Sequence, residues 1–157
     1  MAVLICVGKL KEAWLRDGCG EYLKRLSRFG GMEIIELADQ PEPAKPSPAL
    51  ERKAIETEGR EILRRIRPND FVVALCIDGA AVSSEGLAAL CEGWDGLGRR
   101  VVYVVGGSLG LSDEVVRRAD HRLSFSKMTF PHGLMRVVLL EQLYRAAKIR
   151  AGERYHK

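Results

Sequence analysis

Short apolar runs alternate along the chain with longer segments whose apolar residues recur at helical spacing. Short runs rich in Val, Ile and Leu are typical of buried strands. Five strands are therefore predicted in the stretches AVLICVG, MEIIELA, DFVVALCIDG, RRVVYVVGG and HRLSFS.

The segments between these runs predict five helices. The first covers roughly residues 10–28, the second has the amphipathic sequence ALERKAIETEGREILRRIR, and the third begins at Ser83 or Ser84. Ser112 caps the short fourth helix, and Pro131 lies in the first turn of the last one, FPHGLMRVVLLEQLYRAAKI. Strands that alternate with helices predict an α/β fold, with a mostly parallel sheet and helices on both faces.

The length of 157 residues fits one domain, which we predict to span residues 1–157. Four of the six prolines lie in DQPEPAKPSPA, which predicts a surface loop. The apolar runs are too short to span a membrane, and no basic region precedes the first one. We therefore expect a cytoplasmic protein that has no membrane partner.

The four cysteines predict neither disulfides nor a metal site. Cys6 and Cys76 lie in predicted strands, Cys19 and Cys91 lie in predicted helices, and the chain has no C-x-x-C pattern. Cysteines in such places are expected to be small buried hydrophobic residues.

The net charge of +4 is concentrated at the C-terminus. The segment from Lys127 to Lys157 has seven basic and two acidic residues, so it carries +5 and leaves −1 for the rest of the chain. This distribution favours a polyanionic partner. A solvated helix face followed by a tail explains it equally well.

Candidate chemistry follows three predicted strands, because ligands of open α/β sheets bind beyond the carboxyl ends of the strands. Gly106, Gly107 and Gly110 lie between a strand and a helix, where they either bring the backbone close to a ligand or form a tight turn. The pattern matches neither the dinucleotide nor the phosphate-loop motif, so a nucleotide phosphate site is poorly supported. The loop from Phe125 to Phe130 mixes hydroxyl, aromatic and sulfur-containing side chains, which suits a ligand that is partly apolar.

Four further residues stand out near the C-terminus. Arg136 lies among apolar residues of the last helix and needs a partner there, either Glu141 or an anionic ligand. His132 serves a capping or packing role, or else belongs to a site. Tyr155 and His156 lie among cationic residues, a composition that binds unstacked bases, although a disordered tail is the simpler interpretation.

Several segments together resemble one known family. VVGGSLGLS, LSFSKMTFPHGLMRVVLLEQLYRAAKI and the terminal GERYHK are similar to the bacterial large-subunit ribosomal RNA pseudouridine N3-methyltransferases, a single-domain branch of the SPOUT superfamily. The opening VGKLKEAWLRDGCGEYLKRL and the stretch SSEGLA fit as well, so the resemblance covers nearly the whole chain.

The resemblance implies a C-terminal segment threaded through a trefoil knot, a homodimer, S-adenosylmethionine as cofactor, and a pseudouridine of 23S rRNA as substrate on the large subunit or the assembled ribosome. Family members often have an acidic residue at the position of Cys76, so contacts there would come from the backbone. The positions that match the family's cofactor site are Leu75, Gly106, Phe125, Ser126, Lys127, Met128, Thr129 and Phe130.

The resemblance also places His132, Arg136, Tyr155 and His156 near the methyl acceptor. On this hypothesis Arg136 or a protonated histidine favours the anionic base, and His132 or His156 relays the N3 proton. Tyr155 would orient the flipped base, and the tail of one subunit would complete the site of the other. The alternatives are a non-catalytic ribosome-binding or assembly module, which would use the basic tail without a cofactor, and a nucleotide-dependent α/β enzyme.

Overall fold

The computed structural model describes residues 1–41 and 44–155. All the predicted strands and helices are confirmed, and a short 3-10 helix, Ser27–Phe29, is added after the first helix. The strands are β1 (Ala2–Val7), β2 (Met32–Leu37), β3 (Phe71–Ala81), β4 (Val101–Val105) and β5 (His121–Ser124). The helices are α1 (Ala13–Leu26), α2 (Pro48–Arg65), α3 (Ser84–Gly96), α4 (Asp113–Arg118) and α5 (His132–Arg150).

The five strands form one sheet in the order β2-β1-β4-β3-β5, and every neighbouring pair is parallel. Alternation along β1 shows how the sheet divides the core. Leu4 and Cys6 pack with α1, α3 and α5 on one face, whereas Val3, Ile5 and Val7 pack with α2 and α4 on the other. The predicted α/β fold, with helices on both faces of the sheet, is confirmed.

Serine side chains cap the N-termini of three of the helices. Ser83, not Ser84, is the N-cap of α3, and its Oγ accepts from the Gly86 N–H at 3.1 Å. Ser112 caps α4 as predicted. Sequence analysis missed Ser47, which caps α2 ahead of a proline. Pro131 is the N-cap residue of α5 and so lies one position before the first turn.

A buried ionic cluster holds the amino ends of β3 and β4. Asp70 is only 2% exposed, and its carboxylate accepts from Arg100 Nε at 2.8 Å and from the Arg67 N–H at 2.7 Å. Burial acts to raise the pKa of Asp70, but these hydrogen bonds outweigh it and lower that pKa below its usual range. This cluster lies at the end of the sheet opposite the cavity described below.

Between β5 and α5 the chain runs from the edge of the sheet towards its centre, along the carboxyl ends of the strands. β5 pairs with β3 at the edge, and the pairing register shifts between Leu75 and Ala80. Gly79 lies in this irregular stretch, where a Cβ atom would be 2.7 Å from the backbone carbon of Leu123. The beginning of α5 is next to Gly8, beyond the end of β1, so residues 125–131 pass the ends of β3 and β4.

Candidate active site

A cavity of about 780 Å³ opens where β3, β4 and β5 reach their carboxyl ends. The segment between β5 and α5 and the first turn of α5 complete its wall. The cavity lies at the edge where the sequence predicted a ligand site. Its volume falls within the range of roughly 300–1,000 Å³ that is typical of sites for small organic ligands.

Most of the predicted site residues line this cavity. Lys127 does not, because its side chain is exposed to solvent outside the wall. The predicted residues that do line it are Leu75, Gly106, Phe125, Ser126, Met128, Thr129, Phe130 and His132.

Sequence analysis missed part of the wall. The cavity is also lined by Ile77, Leu111 and Met135. Each lies within a few residues of a predicted position, so closeness in the sequence to those positions is the signal that could have found them. The expectation that all four cysteines are buried was wrong for Cys76, which is half-buried and belongs to the wall. Burial and the neighbouring Asp78 raise the pKa of the Cys76 thiol, which disfavours a thiolate there.

The glycine segment after β4 is a self-contained tight turn. Gly107 and Gly110 pair across it, and the Gly110 N–H donates to the Gly107 carbonyl oxygen at 3.1 Å. Gly110 has a φ of 87°, and a Cβ on Gly106 would lie 2.7 Å from the Gly110 oxygen. The glycines are therefore required by the turn itself, which presents its backbone to the cavity.

The loop after β5 is shaped by two serine hydroxyls. Ser124 Oγ donates to the Ser126 carbonyl oxygen at 3.1 Å, and Ser126 Oγ accepts from the Met128 N–H at 3.0 Å. Met128 is 74% exposed at the cavity mouth. An exposed apolar side chain at the rim of a cavity is available to contact a ligand.

Arg136 has a partner, but the partner is not Glu141. The guanidinium is completely buried, and its Nη1 donates to Glu36 Oε1 at 2.9 Å. Its Nη2 donates to the carbonyl oxygens of Val7 at 2.6 Å and Gly8 at 2.7 Å. The structure thus corrects the prediction of a pair with Glu141, which instead accepts from Arg145. Arg136 fastens α5 to the end of β1.

His132 is the first residue of α5 and lies beside Gly8, just after the end of β1. Gly8 has a φ of 84°, and a Cβ there would be 3.3 Å from His132 Nε2. The imidazole is half-buried, borders the cavity and packs on the backbone that Arg136 holds. Of the predicted acceptor-site residues that the structure describes, His132 is the one in the cavity wall.

Tyr155 follows α5, and the chain folds back there, so that its side chain lies beside the second half of the helix. The 19 residues of that helix make it about 28 Å long, and the cavity is at its beginning. The Tyr155 ring packs edge-on against Tyr144 with centroids 4.9 Å apart, and its hydroxyl donates to Glu141 Oε1 at 3.2 Å. Burial, with hydrogen bonds to Tyr22 and Glu141, raises the pKa of Tyr155 to about 12. His156, also predicted as a site residue, lies outside the described residues.

The cavity wall carries little charge. Among the residues that the structure describes, no Lys, Arg, Asp or Glu side chain lines it. A polyphosphate needs cations or a phosphate-binding loop, so the wall suits a ligand that is apolar, hydrogen-bonding or cationic. Within the described ranges, no group of His, Cys, Asp and Glu could hold a metal ion, and no helix is long and apolar enough to cross a membrane.

The parallel α/β sheet and the uncharged cavity at its strand ends are typical of proteins that bind a small organic ligand beyond the carboxyl ends of the strands. The family model described as "Predicted SPOUT methyltransferase" matches residues 1–156. The chain therefore belongs to the SPOUT methyltransferase family, as the resemblance predicted.

Named relatives are similar over the full length. The "Ribosomal RNA large subunit methyltransferase H" proteins of Bifidobacterium animalis subsp. lactis and Clostridium novyi are 54% and 52% identical to this chain, with 98% of each chain covered. The fold also matches a solved structure, a "probable methylase family protein" from Haemophilus influenzae Rd KW20, with a TM-score of 0.53 and 12% identity. That match covers 99% of this chain and 70% of the other and shows the fold alone.

Proposed function

We propose that this chain is a cytoplasmic ribosomal RNA methyltransferase that transfers a methyl group from S-adenosylmethionine to N3 of a pseudouridine in 23S rRNA. The relatives that are about half identical over their full length are named as large-subunit rRNA methyltransferases. The observation that carries the proposal is the uncharged cavity, formed by the same strand-end loops that carry the resemblance.

The residues of the cavity fit this cofactor. Apolar side chains such as Leu75 and Phe125 suit an adenine ring, and the hydroxyls of Ser126 and Thr129 suit ribose or amino-acid groups. The absence of Lys and Arg from the described wall suits a cationic sulfonium and disfavours ATP or NAD. When bound, S-adenosylmethionine supplies an activated methyl group.

The chain's own residues have separate roles in the proposed reaction. His132 borders the cavity and is the described group best placed to accept the N3 proton of the base. Arg136 is a positioning residue in this account, because both terminal nitrogens of its guanidinium already donate to Glu36 and to two carbonyl oxygens. It holds the turn at Gly8 against which the imidazole rests.

A homodimer would bring the two ends of α5 to one site. Tyr155 contacts Glu141, which lies nine residues after His132 and so about 14 Å along the helix from the cavity. Tyr155 would therefore serve the reaction in a partner's cavity. The outer surface supports such an association, since Trp14 on α1 is 62% exposed. Leu134 and Val138 on α5 are also partly exposed. Apolar surface of this kind is typical of protein interfaces.

We also propose that the whole chain, residues 1–157, is one domain and that its C-terminal part is knotted. Residues 125–131 connect β5, at the edge of the sheet, to α5, which begins beside Gly8 at the end of β1, and they share the cavity wall with the glycine turn and β3. A knotted chain is rare among proteins.

Methyl transfer to ribosomes tests the proposal. Ribosomes or large subunits that lack the modification should take up label from S-adenosylmethionine into 23S rRNA, in a nucleotide that mass spectrometry identifies as N3-methylpseudouridine. Ribosomes that already carry the modification are the control and should take up none. Binding of ribosomes without any heat of S-adenosylmethionine binding would instead favour the non-catalytic module.

A further inference from the structure

A buried carboxylate lies directly behind the cavity wall. Glu58 on α2 is 8% exposed, and its Oε1 accepts from the Gln40 N–H at 2.9 Å. A Cβ built on Gly107 would be 3.0 Å from Glu58 Oε2 and 3.5 Å from Oε1. The carboxylate therefore fills the place where a side chain at position 107 would be, while Gly107 itself lines the cavity.

The neighbouring residue fixes Glu58 in this place. A Cβ on Gly59 would lie 2.1 Å from Ser112 Oγ, so α2 packs very closely on the end of the glycine turn. Gly59 and Gly107 together allow α2 and the turn to approach each other with the carboxylate between them. Glu58 is thus held in position by packing, unlike a surface carboxylate.

The charge of Glu58 is poorly compensated. Within residues 1–41 and 44–155, no Lys or Arg forms an ion pair with it. Burial raises the pKa of Glu58, the Gln40 N–H and His132 oppose that rise, and Asp39 adds to it. Burial of a carboxylate without a nearby cation raises the free energy of the folded protein, and a cation bound in the cavity would lower it again.

We propose that Glu58 makes the cavity selective for the cationic methyl donor over its neutral product. This inference rests on the proposed function. S-adenosylmethionine carries a sulfonium charge that S-adenosylhomocysteine lacks, and the described wall has no acidic side chain of its own. Asp78, near the wall, is 78% exposed and faces Arg122, so solvent screens its charge. Glu58 supplies the negative potential that favours donor binding and product release.

Calorimetry on the full-length protein tests this selectivity. The substitution Glu58→Gln keeps the shape and the oxygen that accepts from Gln40 but removes the charge. We expect the Kd for S-adenosylmethionine to rise about fivefold, as for a charge lost at intermediate range in a partly screened site, while the Kd for S-adenosylhomocysteine stays the same. Glu56→Gln, an exposed position on the same helix, is the control and should change neither.

Two further measurements separate charge from structure. Glu58→Asp keeps the charge and should retain the preference for the donor. In the wild-type protein, the ratio of the two Kd values should move against the donor as the pH falls and Glu58 takes up a proton, and Glu58→Gln should lose most of this change. The other titratable groups that face Glu58 are Asp39 and His132.

The outcomes distinguish the inference from the proposed function. Equal weakening of both ligands in Glu58→Gln, or a pH-independent ratio in the wild-type protein, would overturn the selectivity role and leave the methyltransferase proposal intact. If the wild-type protein binds neither ligand, the proposed function itself fails.

Discussion

Single residues determine how closely the neighbouring strands β3 and β5 can approach each other. Gly79 is such a residue, because its Cα faces the backbone of β5 and not a side chain that could move. Gly20 on α1 is a natural comparison, since a Cβ there would meet nothing within 4 Å.

We expect Gly79→Ala to destabilise the protein by about 2–3 kcal/mol, because the added methyl group overlaps backbone atoms of Arg122 and Leu123. Gly20→Ala should be neutral or stabilise the protein by about 0.5–1 kcal/mol, since alanine favours a helix more than glycine does. Urea unfolding followed by circular dichroism measures both. Equal effects of the two substitutions on the free energy of unfolding would contradict this close approach of β3 and β5.

Asp70 gives a prediction about pH. Its pKa is lowered in the folded state, so its contribution to stability is present above the unfolded-state value of about 3.9 and is lost as the pH falls through the folded-state value. The free energy of unfolding should therefore decrease below about pH 4. Asp70→Asn should cost about 3 kcal/mol at neutral pH, because it leaves Arg100 without its partner, and should flatten the acid dependence. Denaturant titrations at several pH values measure the free energy of unfolding. The account is contradicted if this free energy decreases equally steeply with falling pH in the wild-type protein and in the variant.

Residue partners were the hardest feature to predict from the sequence. The apolar surroundings of Arg136 correctly predicted that it needs a partner, but the nearest acidic residue on the same helix was the wrong choice. Residues five apart on a helix do not face each other, whereas residues three or four apart do. The true partner, Glu36, is 100 positions away, and only the fold brings it close. Glu58 was missed for the same reason, because its neighbour Gly107 is on a different element.

At the scale of elements, periodicity predicted every strand and every α-helix that the structure describes, and the strand ends predicted the edge where the cavity opens. The order of the strands could not be predicted in this way, because apolar runs specify burial but not which strand is the neighbour. The separation of His132, at the beginning of α5, from Tyr155, beside its second half, also follows only from the structure.

Removal of residues 152–157 should separate binding from catalysis. The cavity is formed at the other end of α5, so we expect the Kd for S-adenosylmethionine to change less than about twofold, while methyl transfer to ribosomes falls below detection. Calorimetry and the labelling assay measure the two quantities on the same preparation. Thermal unfolding is the necessary control, because the truncation removes the ion pair between Glu153 and Lys148. A parallel loss of binding and activity would show that the tail supports the cavity.

At the scale of the whole molecule, the proposed site requires two chains, since the cofactor cavity is at the beginning of α5 and Tyr155 packs beside the second half of that helix. Sequence motifs named the residues of such a site without showing that they are far apart in one protomer. The same holds for the proposed knot, which would depend on the path of residues 125–131 past β3 and β4. Neither property leaves a periodic pattern in the sequence.

The most direct test of the account is activity in mixed dimers. One variant should lose cofactor binding, for example Ile77→Trp, which places a large ring at the cavity wall, with the loss verified by calorimetry. The other lacks residues 152–157. Each variant alone should be inactive, whereas dimers reassembled from an equal mixture should recover about a quarter of the wild-type methyl transfer to 23S rRNA, because half of the dimers are mixed and each has one complete site. No recovery in verified mixed dimers would contradict a site shared between protomers.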